Sequence, residues 1–285
     1  MTTKIAYQGV AGAYSEQACK SAFPDLTPVA CDTFLDAMMM VEEGRAIYAM
    51  IPLENSTAGR VEEIYRLIPK MKLHVVGEHF EPVIHCLLGV KGSKIEDLKY
   101  VASHPQALAQ CHNNILKLGL TSIAKLDTAG SAKEIKELND KSFGAIASKL
   151  ASKIYDLELL QEHFEDVKGN TTRFFILSKE KKTPKYDKSK SYITSLIFQV
   201  RNIPAALYKA LGGFATNGIN LLKLESYAAE GSLNATQFHV DIEGHIDSEC
   251  MGRALEELEF FSTEVKILGT YESHRLRESL NAKTK

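Results

Sequence analysis

The chain has 285 residues, 45% hydrophobic and 25% charged, which excludes wholesale disorder and suggests two domains. Its formal net charge of −2 disfavours nucleic-acid binding, which needs a basic surface. No apolar run approaches the roughly 20 residues that span a bilayer, and the N-terminus lacks a signal-peptide pattern, so we expect a cytoplasmic protein with no membrane partner.

The cysteines and histidines do not form a metal-binding or disulfide pattern. Five cysteines are widely scattered, with no Cys-x-x-Cys pair. His74, His79 and His85 lack the helical spacing of metal ligands, and we interpret them as strand or loop residues. The sequence therefore predicts no metal site.

The first 178 residues alternate strand and helix patterns in two series. The first series predicts strands at 4–8, 27–31 and 47–53 and helices at 14–23 and 34–43; the second predicts strands at 100–103, 122–126 and 143–148 and helices at 106–118 and 131–138. A strand-rich stretch at 73–90 joins them. This alternation predicts an α/β fold with two lobes, parallel sheets covered by helices on both faces, and a ligand cleft between the lobes.

A lysine-rich stretch at 179–190, with six lysines and two acids, predicts a solvated linker. After it come strand patterns at 191–201, 219–227, 235–243 and 264–270 and helix patterns at 204–217 and 247–261, with a turn at Glu230-Gly231. The order β-α-β-β-α-β is that of a ferredoxin-like module, whose edge strands often pair between copies.

Polar loops next to the predicted strands are candidate ligand sites, because open α/β sheets bind ligands at strand ends. Gly9 and Gly12 before a helix suit either close approach to an anion or a tight turn with Ser15 as helix cap. Residues 54–57, Glu-Asn-Ser-Thr, either face a ligand or form a polar turn with a cap for the helix after Arg60.

Three later stretches extend this set. Ser103 is by default a helix cap, and His104 is either a catalytic base or structural. Thr128 lies before a helix N-terminus that suits a carboxylate. Arg173 enters an apolar strand, so its guanidinium needs either a ligand carboxylate or a protein acid as partner.

Four of these stretches, in this order, resemble the signature set of prephenate dehydratase: Gly-x-x-Gly-x-x-Ser at 9–15, Glu-Asn-Ser at 54–56, Ser-His-Pro-Gln at 103–106 and Thr-Arg-Phe at 172–174. The second segment resembles the ACT regulatory domain of that family. The resemblance covers residues 4–273 and implies a stand-alone enzyme without a chorismate mutase segment. Its expected parts are a two-lobed, periplasmic-binding-protein-like catalytic domain at 1–178, a linker at 179–190, a βαββαβ ACT domain at 191–273 and a tail at 274–285.

The resemblance implies a lyase of phenylalanine biosynthesis that converts prephenate to phenylpyruvate, carbon dioxide and water without metal or cofactor. Thr172 would assist departure of the hydroxyl group, and Arg173 would anchor a carboxylate. Neutral hydrogen-bond donors would come from the remaining catalytic positions, Asn55, Ser103 and Gln110. Weaker assignments to substrate binding are Gly9, Ser15, Ser56, Gln106, Thr128 and Thr171.

The regulatory half departs from the family pattern, in which Gly-Ala-Leu and Glu-Ser-Arg-Pro shape a phenylalanine site. Here these stretches are Ala205-Ala206-Leu207 and Glu225-Ser226-Tyr227-Ala228. An alanine at the glycine position costs roughly 1 kcal/mol if that position needs a positive φ. We expect a homodimer or homotetramer through ACT domains with weakened phenylalanine feedback. The expected effector residues are Ala205, Ala206, Leu207, Asn217, Ile219, Asn220, Leu221, Glu225 and Ser226.

Two other functions stay open at this point. Arogenate dehydratase performs the same reaction on the transaminated substrate, and the stretch 103–111 also resembles members with that preference. A non-catalytic sensor of an amino acid or small anion is the alternative from another class, because two-lobed clefts commonly only bind solutes.

Overall fold

The computed structural model describes residues 3–201, 203–228 and 235–277. The chain divides into two compact units: unit 1 comprises Met1–Val61 and His79–Phe174, and unit 2 comprises Glu62–Glu78 and Phe175–Lys285. This division differs from the expected one in the segment Glu62–Glu78, which belongs with the C-terminal unit. The predicted turn at Glu230-Gly231 and residues 278–285 of the predicted tail lie outside the described residues.

Strands and helices alternate through the first part of the chain, as the apolar patterns predict. In chain order the elements are β1 (Lys4–Gln8), α1 (Tyr14–Ala22), β2 (Thr27–Cys31), α2 (Phe34–Glu42), β3 (Tyr48–Asn55), β4 (Gly59–Arg60), α3 (Glu62–Leu67), β5 (His74–Pro82), β6 (Cys86–Gly89), β7 (Tyr100–Ser103), α4 (Pro105–Gln110), α5 (His112–Lys117), β8 (Thr121–Ala124), α6 (Thr128–Leu138), β9 (Phe143–Ala147), α7 (Lys149–Ile154), β10 (Glu158–Gln161) and β11 (Thr171–Ser178).

Residues 179–190 contain no helix or strand and are mostly exposed. The elements after them are β12 (Tyr192–Val200), α8 (Ala206–Thr216), β13 (Leu221–Ala228), β14 (Ala235–Glu243), α9 (Glu249–Phe261) and β15 (Ser262–Glu272). Within the described residues, none of the helices combines the length and the apolar character that crossing a membrane requires.

Two sheets form two lobes, and both are mixed, whereas the sequence predicted parallel sheets. The lobe 1 sheet has the order β2-β1-β3-β11-β5, with β1 parallel to β2 and β3. The lobe 2 sheet has the order β10-β6-β9-β7-β8, in which β7 is parallel to β8 and β9 but β6 is antiparallel to β9 and β10. Strand–helix alternation fixes direction only across a crossover helix, and the chain enters β6 from β5 without one.

Lobe 2 has helices on both faces of its sheet, as predicted. Leu87 packs in one core with Leu108 and Ile115 of α4 and α5, and its neighbour Leu88 packs in another core with Ile135 of α6. Adjacent residues of β6 face opposite sides because side chains alternate along a strand. A strand buried on both faces has a continuous apolar sequence, as Cys-Leu-Leu-Gly does here.

The predicted helix at 106–118 is two helices, α4 and α5, which meet at Cys111. The Asp166 carboxylate accepts hydrogen bonds from the backbone N–H groups of Asn113 and Asn114, at 2.9 and 3.1 Å. This side chain therefore caps the first turn of α5 from a distant loop. No local sequence pattern reveals such a cap.

Unit 2 contains the predicted βαββαβ module, whose sheet has the antiparallel order β13-β14-β12-β15. Leu196 and Phe198 of β12 pack against Phe214 of α8 and Leu258 of α9 in one core. The two helices therefore cover one face of the sheet, as a ferredoxin-like module requires.

The segment Glu62–Glu78 belongs to unit 2 because it packs on residues of that unit. The Tyr65 ring of α3 lies 6.2 Å from the Tyr227 ring and 5.8 Å from the His239 ring, between centroids. Lys266 Nζ donates to the carbonyl of Met71 at 2.7 Å. The buried Glu78 carboxylate accepts two hydrogen bonds from the Arg277 guanidinium, at 2.7 and 2.9 Å.

The residue before α8, Ala205, has a φ of +60°, the left-handed conformation that favours glycine. An alanine there costs about 1 kcal/mol or more. We expect Ala205→Gly to raise the free energy of unfolding of unit 2 by up to about 1 kcal/mol, because relief of this strain exceeds the added entropy of the unfolded chain. Urea unfolding would measure it. The control Ala206→Gly, at the first helical position, should lower stability by about 1 kcal/mol; a loss for Ala205→Gly as well would contradict the prediction.

Candidate active site

A cavity of about 270 Å³ lies in unit 1, with walls from both lobes. Lobe 1 supplies the start of α1, the end of β3 and the start of β11, and lobe 2 supplies α4 and the start of α6. Its lining residues are Tyr14, Ser15, Pro52, Asn55, Val61, Val83, His85, His104, Gln106, Ala107, Gln110, Asp127, Thr128, Asn170, Thr172 and Phe174.

The glycine loop before α1 packs against lobe 2. Gly12 has a φ of +87°, and a Cβ atom there would lie 2.9 Å from Cα of Ala151 in α7. Its carbonyl accepts a 2.6 Å hydrogen bond from Ser148 Oγ. Ala13 occupies the N-cap position of α1 without a side-chain bond, so Ser15 is not the cap expected from sequence. It lies inside α1 and lines the cavity.

The hairpin of β3 and β4 fixes the side chain of Asn55. Its Oδ1 accepts hydrogen bonds from the backbone N–H groups of Thr57 and Ala58, at 3.0 and 2.9 Å. The amide nitrogen Nδ2 must therefore face the other way, and it donates to Oγ1 of Thr172 at 2.9 Å. Asn55 thus acts as the donor in this pair.

A chain of hydrogen bonds with a fixed direction runs from the backbone to Gln110. The N–H of Thr171 donates to Ser56 Oγ at 3.0 Å, and the Ser56 hydroxyl donates at 3.4 Å to Asn170 Oδ1, which can only accept. Asn170 Nδ2 then donates to Gln110 Oε1 at 3.0 Å. Ser56 and Thr171 therefore orient a lining side chain without lining the cavity themselves.

His85 contacts Gln110 Oε1, the same oxygen that accepts from Asn170. Its Nε2 lies 2.7 Å from Gln110 Oε1, and its Nδ1 lies 2.8 Å from the Tyr14 hydroxyl, which also donates to the Ile84 carbonyl at 3.0 Å. Burial lowers the pKa of His85, which favours the neutral ring, and burial raises the pKa of Tyr14 well above its usual value. The sequence interpretation of His85 as an ordinary loop residue missed this network.

Two helix N-termini of lobe 2 face the cavity. His104, not Ser103, caps α4, since its Nδ1 accepts the N–H of Gln106 at 3.2 Å. Ser103 is fully buried and donates to the Ile146 carbonyl at 2.6 Å. Asp127 caps α6, which begins at Thr128. His104 and Asp127 therefore each cap a helix and also line the cavity.

Arg173 points away from the cavity, because Thr172 and Phe174 on either side of it face inward and strand residues alternate. It is 2% exposed, and its Nη1 donates to Glu54 Oε1 at 3.0 Å. Of the two partners that the sequence left open, the structure supplies the protein acid. Arg173 is not among the residues that line the cavity.

The structure thus brings together six of the predicted site residues: Ser15, Asn55, Gln106, Gln110, Thr128 and Thr172. Five others lie outside the lining: Gly9, Ser56, Ser103, Thr171 and Arg173. Sequence reasoning missed Tyr14, His85 and Asn170. Tyr14 and Asn170 are adjacent in the sequence to the predicted site residues Ser15 and Thr171, and this adjacency could have identified them. No predicted site residue is adjacent to His85.

The cavity presents hydrogen-bond donors but little positive charge. Its lining, as far as the structure describes it, contains no lysine or arginine, and its only formal anion is Asp127. No group of three or more possible metal ligands occurs among the described residues. The arrangement suits a ligand held by neutral hydrogen bonds.

The predicted effector residues lie in unit 2 and are not among the residues that line a cavity of about 520 Å³ in this unit. Ala205, Ala206 and Leu207 stand at the start of α8, and Glu225 and Ser226 point to opposite faces of β13. That cavity is lined by Glu62, Tyr65, Arg66, Pro69, Lys70, Tyr227, Ala228, Gln237 and Glu264.

Comparisons with known proteins identify the family of this chain. The sequence profile of the prephenate dehydratase family matches residues 5–182. A bifunctional N-acyl-homoserine lactone acylase/prephenate dehydratase of Komagataeibacter europaeus is 46% identical over 96% of this chain and 97% of the relative, and arogenate dehydratase 2 of Petunia hybrida is 42% identical over 95% and 72%. The crystal structure of prephenate dehydratase from Arthrobacter aurescens in complex with L-Phe is 26% identical, with a TM-score of 0.86 over 95% of this chain and 90% of that one. The chain therefore belongs to the prephenate dehydratase family.

Proposed function

We propose that this chain catalyses the decarboxylating dehydration of prephenate to phenylpyruvate. One observation carries the proposal: the Asn55 amide, locked by two backbone N–H groups, donates to Thr172 Oγ1. Because the threonine oxygen already accepts this bond, its own O–H is left to donate into the cavity, where a departing hydroxyl group needs a donor.

The reaction follows from this placement. The bond between the ring and its carboxylate breaks, its electrons form the last double bond of the aromatic ring, and the C4–O bond breaks at the same time. Carbon dioxide leaves from one end of the ring, and the oxygen at the other end leaves as water after it takes a proton through the Thr172 hydroxyl, which solvent reprotonates. The Thr172 O–H stabilises the charge that develops on this oxygen, and aromatisation supplies the driving force.

The lack of lysine and arginine in the described lining supports this chemistry. A cation beside the ring carboxylate would hold its charge and oppose the loss of carbon dioxide. Donor groups such as the Gln110 amide bind a carboxylate without fixing its charge as strongly. Arg173 then acts indirectly, by holding Glu54 at the base of the hairpin that carries Asn55.

Arogenate is the second candidate substrate, and Asp127 favours it. Arogenate carries an ammonium group where prephenate carries a ketone, and Asp127 is the one carboxylate in the described lining. A charge pair near the surface is worth about 1 kcal/mol, or roughly fivefold. We expect Asp127→Asn, which keeps a good helix cap, to lower kcat/KM for arogenate relative to prephenate about fivefold. Parallel assays with both substrates measure this, and an unchanged ratio contradicts it.

The relative from Komagataeibacter europaeus also carries an acylase name, but no hydrogen bond in this cavity favours hydrolysis. His85 binds Tyr14 and Gln110, and His104 Nδ1 binds the N–H of Gln106. Among the hydrogen bonds of the described residues, neither histidine contacts a serine or threonine hydroxyl, so the cavity shows no histidine-activated hydroxyl nucleophile, which is one route to amide hydrolysis.

Regulation, assembly and location are part of the proposal. We expect the βαββαβ module to act as an ACT domain, to pair with a second copy in a homodimer or homotetramer, and to bind phenylalanine weakly because of Ala205, Tyr227 and Ala228. The Arthrobacter relative in complex with L-Phe supports an effector of this kind. We expect the protein to work in the cytoplasm. Light scattering and titration calorimetry with phenylalanine test the assembly and the effector; ordinary micromolar affinity would show that these three residues are tolerated.

The decisive experiment incubates the purified chain with prephenate and, separately, with arogenate. Phenylpyruvate from prephenate is the expected product, and phenylalanine from arogenate would identify the second candidate. Release of neither product, with binding of either substrate, would instead support a non-catalytic sensor.

A further inference from the structure

Gln110 lines the cavity with an amide whose orientation is decided by its neighbours. A glutamine amide can present either its oxygen or its nitrogen to a ligand, and only the nitrogen donates to a carboxylate or hydroxyl. The Gln110 oxygen is taken by Asn170 Nδ2 at 3.0 Å and His85 Nε2 at 2.7 Å. Its Nε2 is therefore the group left for the cavity.

The direction of the contact between Asn170 and Gln110 does not depend on His85. Asn170 Oδ1 can only accept, so the Ser56 hydroxyl, which itself accepts the Thr171 backbone N–H, donates to it. The Asn170 NH₂ group faces Gln110 and donates to Gln110 Oε1. Since Gln110 Oε1 only accepts, His85 must meet it with a protonated Nε2.

The remaining nitrogen of His85 agrees with this assignment. In a neutral imidazole with Nε2–H, Nδ1 is an acceptor, and the Tyr14 hydroxyl lies 2.8 Å away. The single proton of this hydroxyl is also within reach of the Ile84 carbonyl oxygen at 3.0 Å, so Nδ1 and that oxygen share it in a three-centre hydrogen bond. Burial lowers the pKa of His85, while burial raises the pKa of Tyr14, so the ring stays neutral and the phenol stays protonated near pH 7. The His85 backbone N–H, held by Glu165 Oε2 at 2.9 Å, fixes the position of the residue itself.

We propose that His85 is a positioning residue for the dehydration: as the neutral Nε2–H tautomer held by Tyr14, it locks the Gln110 amide so that Nε2 donates into the cavity. His85 does not exchange a proton with the substrate in this role. The catalytic role of His85 rests on the proposed function. The tautomer of His85 and the hydrogen bonds that select it are properties of the protein without substrate.

Nuclear magnetic resonance of protein labelled with ¹⁵N-histidine tests the tautomer without any turnover. We expect a protonated Nε2 and a bare Nδ1 for His85, identified by its disappearance in His85→Leu, and no titration between about pH 6 and 8, where an ordinary histidine titrates. In Tyr14→Phe, which keeps the ring but loses the donor, the Nδ1 resonance should move. An Nδ1–H tautomer, or titration near pH 6.5, would overturn the proposal even if the enzyme is fully active.

Kinetics tests the consequence. We expect His85→Leu to lower kcat about tenfold, with KM changed less than about threefold, because loss of one orienting bond misplaces a donor used in the transition state. The matched control is His79→Gln, whose imidazole binds Glu81 at 2.8 Å outside the cavity and whose loss should leave kcat unchanged. Wild-type kcat in a folded His85→Leu protein would overturn the positioning role. If the wild-type chain turns over neither substrate, the proposed function fails while the tautomer result still stands or falls alone.

Discussion

Replacing Thr172 by alanine should lower kcat by about 10²–10⁴-fold while KM stays within a few-fold of its original value. The lost hydroxyl is the group that Asn55 orients toward the departing oxygen, and a positioned proton donor typically contributes this much. A hydroxyl that acts mainly in the transition state affects kcat more than ground-state binding. Steady-state kinetics with prephenate, and with arogenate if that is the substrate, measures both constants.

The matched control is Thr172→Ser, which keeps an oxygen to accept from Asn55 and a proton to donate. We expect it to retain at least a tenth of the original kcat. Near-normal turnover in Thr172→Ala would remove Thr172 from the mechanism. Equal losses in both variants would point to packing of the lost methyl group as the cause.

The second large effect is on stability, and it concerns Arg173. Replacing it by methionine removes the guanidinium that binds Glu54. Arg173 is buried, but the Glu54 side chain is 32% exposed, so water screens part of the loss and we expect a cost of about 2 kcal/mol, between the values for exposed and buried pairs. For a domain of this size, that corresponds to a fall in Tm of about 4–8 °C. Thermal unfolding followed by circular dichroism measures it.

A double variant separates the two possible roles of this arginine. Adding Glu54→Gln removes the uncompensated carboxylate, so the Glu54→Gln/Arg173→Met protein should regain part of the lost stability. Arg173→Lys, which keeps the charge but not the fork, should lie between methionine and wild type. A large rise in KM with unchanged Tm would restore the direct carboxylate anchor expected from sequence and contradict the geometry described here.

Patterns that repeat along the chain were sufficient to predict the fold. The alternation of strands and helices gave the two-lobed α/β fold, and the β-α-β-β-α-β order gave the second module. The antiparallel direction of β6 was not predicted, because it depends on a connection without a helix. The break at Cys111 was missed, since the Asp166 carboxylate that caps α5 beyond it lies more than fifty residues away in the sequence.

For the site, short motifs predicted which loops meet, but not which side chains face inward. Thr172 and Arg173 are adjacent and were both expected to touch the substrate, yet alternation along β11 turns only Thr172 toward the cavity. Ser103 was expected at the site, but its neighbour His104 lines the cavity. His85 joined the site through contacts with Tyr14 and Gln110, which lie 71 and 25 residues away in the sequence.

The placement of Glu62–Glu78 in unit 2 means that the region matched by the family profile and the compact unit 1 have different boundaries. The family profile covers residues 5–182, but within that span the chain leaves unit 1 after Val61 and returns at His79. A fragment ending at residue 178 would strip Tyr65 of its aromatic neighbours and leave the buried Glu78 carboxylate without Arg277. We therefore expect such a fragment to aggregate. Each unit contains two separate stretches of the chain, so a cut at the end of the family profile divides unit 2 and does not separate it from unit 1.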